Sequence, residues 1–214
     1  MSLADDLRKA KFIAIGRRIP TGKIAMCAEA LTRAGVSFFE ITFDPSDCGT
    51  LRNTAEKVRI AKEHQPALHV GCGTVLNVEM VKAAAGAGAE YIISPHTSPA
   101  VIAETRRLGL ISIPGAYTPT EIMHAYESGG DIVKIFPVRP GEESYVKNVM
   151  SPLSHIPFLV TGGVTPETIR SMLATKALAV AAGASVFPEP LLEADDYEEI
   201  AKLAKRHLEA MKNG

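Results

Sequence analysis

A chain of 214 residues with a formal net charge of −1 has the length of one ordinary domain and no global bias toward nucleic acid or anionic membranes. Its three cysteines (Cys27, Cys48, Cys72) are odd in number and lack CxxC spacing, which argues against a disulfide framework or zinc knuckle and suits a reduced, cytoplasmic setting. Neither a signal peptide nor a membrane span is expected, because the N-terminal stretch carries Asp5 and Asp6 without an apolar core and the longest apolar run, around 177–187, is too short for a bilayer.

In chain order, a short helix is expected over about 2–10. Runs rich in Val, Ile and Phe then recur at 12–16, 38–43, 68–73, 91–95, 110–115, 132–137, 158–163 and 178–183. Helical signals lie between them. Thr21 precedes a segment that closes at Ala34-Gly35, and Asn77 is placed to cap 78–85, which again ends in glycines. Thr118-Pro119 and Thr165-Pro166 each offer a capping residue followed by proline at the first helical position. A closing helix is expected over about 195–212. Strands alternating with helices give a doubly wound sheet or a (β/α)8 barrel. The count of eight, the length and the even spacing favour the barrel, so the expected fold is α/β: a single-domain, parallel, eight-stranded (β/α)8 TIM barrel over 1–214.

Two residues break the apolar runs. Lys134 lies inside Ile132-Val133-Lys134-Ile135-Phe136-Pro137, and Glu40 inside Phe38-Phe39-Glu40-Ile41-Thr42-Phe43. Burying an unpaired ammonium costs several kcal/mol, and losing the proton avoids that cost. The resulting neutral amine is a nucleophile toward carbonyls; the structural alternative is a strand-end lysine that reaches solvent. Strand alternation allows both groups to point into one interior. In such barrels the active site lies at the C-terminal strand ends. Those ends carry Gly16-Arg17, Gly73-Thr74, Ser94-Pro95-His96, Pro114-Gly115 and Thr161-Gly162-Gly163. The glycine turn before the seventh helix suits an anion such as phosphate or carboxylate. His96, at the rim, reads as a solvent-facing loop residue. The six histidines are spread without metal-ligand spacing, so no metal is expected.

The set Glu40-Ile41-Thr42-Phe43, Gly71-Cys72-Gly73-Thr74-Val75, Ile93-Ser94-Pro95-His96, Pro114-Gly115, Lys134-Ile135-Phe136-Pro137 and Thr161-Gly162-Gly163-Val164 resembles the 2-keto-3-deoxy-6-phosphogluconate (KDPG) / 4-hydroxy-2-oxoglutarate (KHG) aldolase family, over about 12–187. The resemblance implies a class I aldolase on a (β/α)8 barrel, homotrimeric, acting on a small keto acid without metal or cofactor and releasing pyruvate plus an aldehyde. It implies that Lys134 forms the Schiff base and Glu40 shuttles protons. Arg17, Thr74 and Pro95 match positions around the pyruvate carboxylate and carbonyl, and Thr161, Gly162 and Gly163 match the phosphate loop. Two departures stand out. Asp44 occupies a position where many members carry arginine. Gly183-Ala184-Ser185 replaces the usual Gly-Ser after strand eight; the one-residue displacement would point Ser185 the other way on a strand, though a loop lets it reach, so Gly183 and Ser185 stay among the expected substrate contacts. The insert 138–143 brings Arg139 to the rim after the lysine motif. A phosphogalactonate-specific aldolase of the same family and a different phosphate-binding barrel enzyme are the alternative readings.

Overall fold

The computed structural model describes residues 2–212; Met1, Asn213 and Gly214, which the single-domain expectation included, lie outside the described residues. Helix α1 (Leu3–Ala10) starts at a capping box, in which Ser2 and Asp5 satisfy each other's backbone amides, and it ends where Lys11 turns left-handed. Strand β1 (Phe12–Gly16) follows, then a 3₁₀ turn (Thr21–Lys23) and α2 (Ile24–Ala34), which Gly35 terminates at φ 87°. Next come β2 (Phe38–Thr42), α3 (Thr50–His64), β3 (His69–Gly73) and α4 (Val78–Gly86), the last capped by Asn77 through the Met80 amide at 2.9 Å.

The chain continues through β4 (Tyr91–Ile93), α5 (Pro99–Arg107), β5 (Ile111–Ile113), β6 (Gly115–Ala116) and α6 (Pro119–Glu127). Thr118 and Glu121 form a second capping box, with Pro119 at the first helical position. Strand β7 (Val133–Ile135), α7 (Glu143–Met150), β8 (Phe158–Thr161), α8 (Ile169–Leu173), β9 (Ala179–Ala182), α9 (Glu189–Glu193) and α10 (Tyr197–Lys212) complete the fold.

All pairings are parallel, in the order β5-β4-β3-β2-β1-β9-β8-β7-β6. The expected fifth strand is split in two at Pro114. Proline has no N–H to continue a ladder, so β5 pairs with β4 on one side of the break and β6 with β7 on the other. The Pro114 carbonyl accepts from the Lys134 amide at 2.8 Å and carries the ring across the break. Nine strand segments thus trace eight barrel staves.

Two apolar layers hold this arrangement. Residues facing outward from the strands pack with the inner faces of the helices. Residues facing inward, among them Ile13, Ile15, Phe38, Tyr91, Ile93, Ile113, Ile132 and Leu159, fill the barrel, and Leu7 of α1 joins them. Each such side chain contributes about 1.5–3 kcal/mol by leaving water.

Three expectations need correction. The seventh helix does not start at Thr165-Pro166: the Thr165 amide donates to Thr168 Oγ1 at 2.9 Å, which closes a turn, and the helix begins only at Ile169. The closing helix starts at Tyr197, because Asp195 sits at φ 55°, outside helical geometry. The short α9 was not anticipated. Among the described residues, no helix is long and apolar enough to cross a membrane.

Candidate active site

β2 and β7 stand four staves apart in a ring of eight, on opposite sides of the barrel. Phe38 and Ile132, two residues before Glu40 and Lys134, belong to the interior layer. Strand alternation therefore turns Glu40 and Lys134 into the same space. Both are buried, at 2 % and 7 % exposure. No ion pair joins them among the described residues. Lys134 Nζ lies 4.6 Å from the centroid of the Phe136 ring.

The position of Glu40 is made by β3. A methyl group on Gly73 would overlap the Glu40 carboxylate, and one on Gly71 would run into the Tyr91 ring. The two glycines are slots in the inner face of the strand. In the sequence, Gly71-Cys72-Gly73 reads only as a weak strand end; what fills the slots is visible only once β2 and β4 flank it. Glu40 Oε2 has no hydrogen-bond partner among the described residues.

Burial dominates the electrostatics of both groups. It pushes the Glu40 carboxyl above the usual carboxylate range, against the opposing pull of the Lys134 and Arg17 charges. It pulls the Lys134 amine below the ordinary lysine value; the Glu40 charge resists this and Arg17 adds to it. Both shifts favour neutral forms: an amine with a free lone pair and a carboxyl that holds a proton.

Arg17 is exposed at the mouth and acts on both groups. Thr74, half-buried at the end of β3, has φ 57°. A β-branched residue in the left-handed region carries strain of about 1–3 kcal/mol, a cost met most often at functional sites. Pro95 is half-buried at the end of β4, and its backbone packs directly on Gly115. His96 is exposed at the rim, as the sequence suggested.

A cavity of about 560 Å³ opens over the β1, β8 and β9 side of the mouth, lined by Arg17, Phe136, Thr161, Gly162, Gly163, Gly183, Ala184 and Ser185 among others. Lys134, Glu40, Thr74 and Pro95 are not part of this lining. Gly162 (φ 119°) and Gly163 (φ 60°) are left-handed, and any side chain there would collide with Val138 and Pro140 of the segment after β7. Among the described residues, the amides of Gly162, Gly163, Val164, Ala184 and Ser185 donate to no protein acceptor. Five amides without a protein acceptor beside one cavity are donors suited to an anion. Three of them lie in the glycine turn that the sequence marked, and two in the loop after β9. A cavity of about 630 Å³ lies at the opposite end of the barrel, lined by Arg8, Lys147, His155 and Lys176, away from Lys134 and Glu40.

The two departures from the family pattern have structural explanations. Asp44 is engaged by Arg18 at 3.1 Å and by the Ser46 amide and hydroxyl, at 3.0 and 2.6 Å, so its charge is matched within the protein. Ser185, expected to contact phosphate, lines the cavity, but its hydroxyl is engaged within the protein. Oγ lies 2.7 Å from the Val164 carbonyl and 3.0 Å from His207 Nε2. The missing partner was His207, which no sequence motif marked. Phe136 and Tyr91 were likewise read only as parts of apolar runs. Among the described residues, no three His, Cys, Asp or Glu side chains gather as a metal-ligand set.

Comparison with known proteins matches this geometry. The family described as KDPG and KHG aldolase matches residues 3–203. A KHG/KDPG aldolase of Escherichia coli strain K12 is 31 % identical over 186 residues, covering 86 % of this chain and 84 % of its own. A 2-dehydro-3-deoxy-phosphogluconate aldolase of Haemophilus influenzae is 26 % identical over 211 residues, covering 98 % of this chain and 97 % of its own. Among solved structures, the 2-keto-3-deoxy-6-phosphogluconate aldolase of Zymomonas mobilis ZM4 with 3-phosphoglycerate superposes with a TM-score of 0.81 at 26 % identity, over 96 % of this chain and 94 % of that one.

Proposed function

Because the chain belongs to the KDPG and KHG aldolase family, we propose that it is a class I aldolase that reversibly cleaves a 2-keto-3-deoxy-6-phospho sugar acid, or 4-hydroxy-2-oxoglutarate, to pyruvate and an aldehyde. The observation that carries this reading is the buried Lys134 amine facing the buried Glu40 carboxyl across one barrel interior.

In this reading the neutral Lys134 amine attacks the C2 carbonyl of the keto acid. Glu40, holding a proton at its raised pKa, protonates the carbinolamine oxygen, and water leaves as the iminium forms. The now ionised Glu40 takes the proton of the C4 hydroxyl. The C3–C4 bond breaks, its electron pair passes into the iminium to give an enamine, and the aldehyde departs. Return of a proton to C3 and hydrolysis of the imine release pyruvate and regenerate the amine. The iminium is the electron sink, so the cycle needs no metal or cofactor. Arg17 and Thr74 hold the substrate carboxylate, and Pro95 borders the reacting carbonyl. The unpaired amides of Gly162, Gly163, Val164, Ala184 and Ser185 support a phosphate site at the far end of the substrate, with Thr161 and Gly183 closing its walls. The same family membership supports a homotrimer acting in the cytoplasm.

Trapping tests the chemistry directly. Incubation with pyruvate followed by borohydride should add one reduced pyruvate, located on Lys134 by peptide mass. An unlabelled wild-type protein, under conditions that label a known class I aldolase, would remove the Schiff-base reading.

A further inference from the structure

His207 is 0 % exposed in the middle of α10, with its ring 5.5 Å from that of Phe12, and it has no part in the reaction derived above. Its two nitrogens are both engaged. Nδ1 lies 2.8 Å from the Leu203 carbonyl, which can only accept, so Nδ1 carries a proton. In the neutral ring Nε2 is then an acceptor, and its partner at 3.0 Å is Ser185 Oγ. The same Oγ lies 2.7 Å from the Val164 carbonyl. Burial holds the ring below the ordinary histidine pKa, while the hydrogen bond to the Leu203 carbonyl and the field of Glu167 oppose that shift, so the neutral ring is the favoured form. The single hydroxyl proton of Ser185 therefore already has two acceptors inside the protein. None is left for a ligand.

This junction ties three pieces of chain together. Val164 belongs to the loop after β8, Ser185 to the loop after β9, and His207 to the closing helix. The two loops supply all five amides without a protein acceptor. With alanine in place of the usual serine, the hydroxyl is displaced by one residue and is engaged by His207 of α10.

We propose that His207 is a positioning residue for the phosphate end of the substrate: through Ser185 it locks the loops after β8 and β9 to α10, so that their amides bind phosphate without a contribution from the serine hydroxyl. This deepens the aldolase reading and rests on it for the identity of the substrate. It differs from direct serine contact in what each substitution does.

The test compares His207→Phe, His207→Gln and Ser185→Ala, using steady-state kinetics on 2-keto-3-deoxy-6-phosphogluconate and on phosphate-free 4-hydroxy-2-oxoglutarate. His207→Phe should raise KM for the phosphorylated substrate about twofold to tenfold, the worth of one hydrogen bond. It should leave kcat, the KM for the phosphate-free substrate and the rate of pyruvate trapping on Lys134 unchanged. His207→Gln, whose amide again reaches Ser185, should restore the wild-type KM. Ser185→Ala should show the same selective KM rise as His207→Phe. If Ser185→Ala raises KM but His207→Phe does not, the serine hydroxyl contacts phosphate itself and the proposal is overturned. An equal loss on both substrates without rescue by glutamine assigns His207 a purely structural role, and also overturns it. The rise in melting temperature on adding inorganic phosphate is a readout independent of turnover. It should be smaller in both His207→Phe and Ser185→Ala, even if wild type fails to trap pyruvate and the aldolase reading falls; an unchanged rise in both overturns the proposal.

Discussion

Lys134 shows how a single residue links stability to chemistry. Its native pKa lies below the value it has in the unfolded chain. Between those two values the unfolded state holds a proton that the native state does not, so stability rises with pH across that window. Glu40 runs the other way: its raised native pKa contributes stability that is lost as pH climbs through that native value. Lys134→Met removes the lysine penalty while keeping a side chain of similar length. The variant should be more stable than wild type at neutral pH, and the gap should close as pH approaches the ordinary lysine pKa. Urea denaturation at a series of pH values measures this, and a gap that is absent at neutrality or widens with pH contradicts it. Turnover should fall by at least about 10³-fold, as expected for loss of a covalent nucleophile. In the proposed mechanism the reacting amine belongs to the least comfortable residue of the barrel. Its burial was legible from Lys134 lying inside an apolar run.

At the scale of the element, β3 carries the most consequence for its length. It has five residues, three of them Gly71, Gly73 and the outward-facing, buried Cys72. The register sets Glu40 beside Gly71 and Thr42 beside Gly73, and the Glu40 side chain leans forward along the strand into the Gly73 slot. Gly73→Ala should therefore displace the carboxyl without adding charge or removing a contact elsewhere. Turnover is expected to drop about 10²–10⁴-fold, the range for losing general acid–base help, while the circular dichroism spectrum remains native. Wild-type turnover in this variant would show that the position of the Glu40 carboxyl is not needed. Helix boundaries were legible where an expected residue caps locally: Asn77 and Thr118 each accept from the amide three residues on. They failed at Thr165, where the hydroxyl of Thr168 takes the amide first and turns the chain before the helix can start. Two capping residues three apart compete, and local sequence does not say which wins.

Across the whole molecule, the surface leaves Met26, Leu51 and Leu76 exposed on α2, on α3 and just before α4, near the mouth of the barrel. The proposed homotrimer would bury apolar groups of this kind. Sedimentation equilibrium should return the mass of three protomers, and Leu51→Asp should shift it toward one; a monomeric wild type would end the trimer proposal. The sequence by itself determined the barrel, its eight staves and the two ionisable groups inside it. Those features follow from the number and even spacing of short apolar runs, from the capping residues between them and from the cost of burying charge, all of which are written in local sequence. Tertiary structure alone decided that Pro114 splits the fifth stave, that Gly71 and Gly73 make room for Tyr91 and Glu40, and that the Ser185 hydroxyl meets His207. Each depends on side chains that meet only when staves or helices distant in sequence are brought side by side, and no local propensity encodes which of two acceptors a hydroxyl will find.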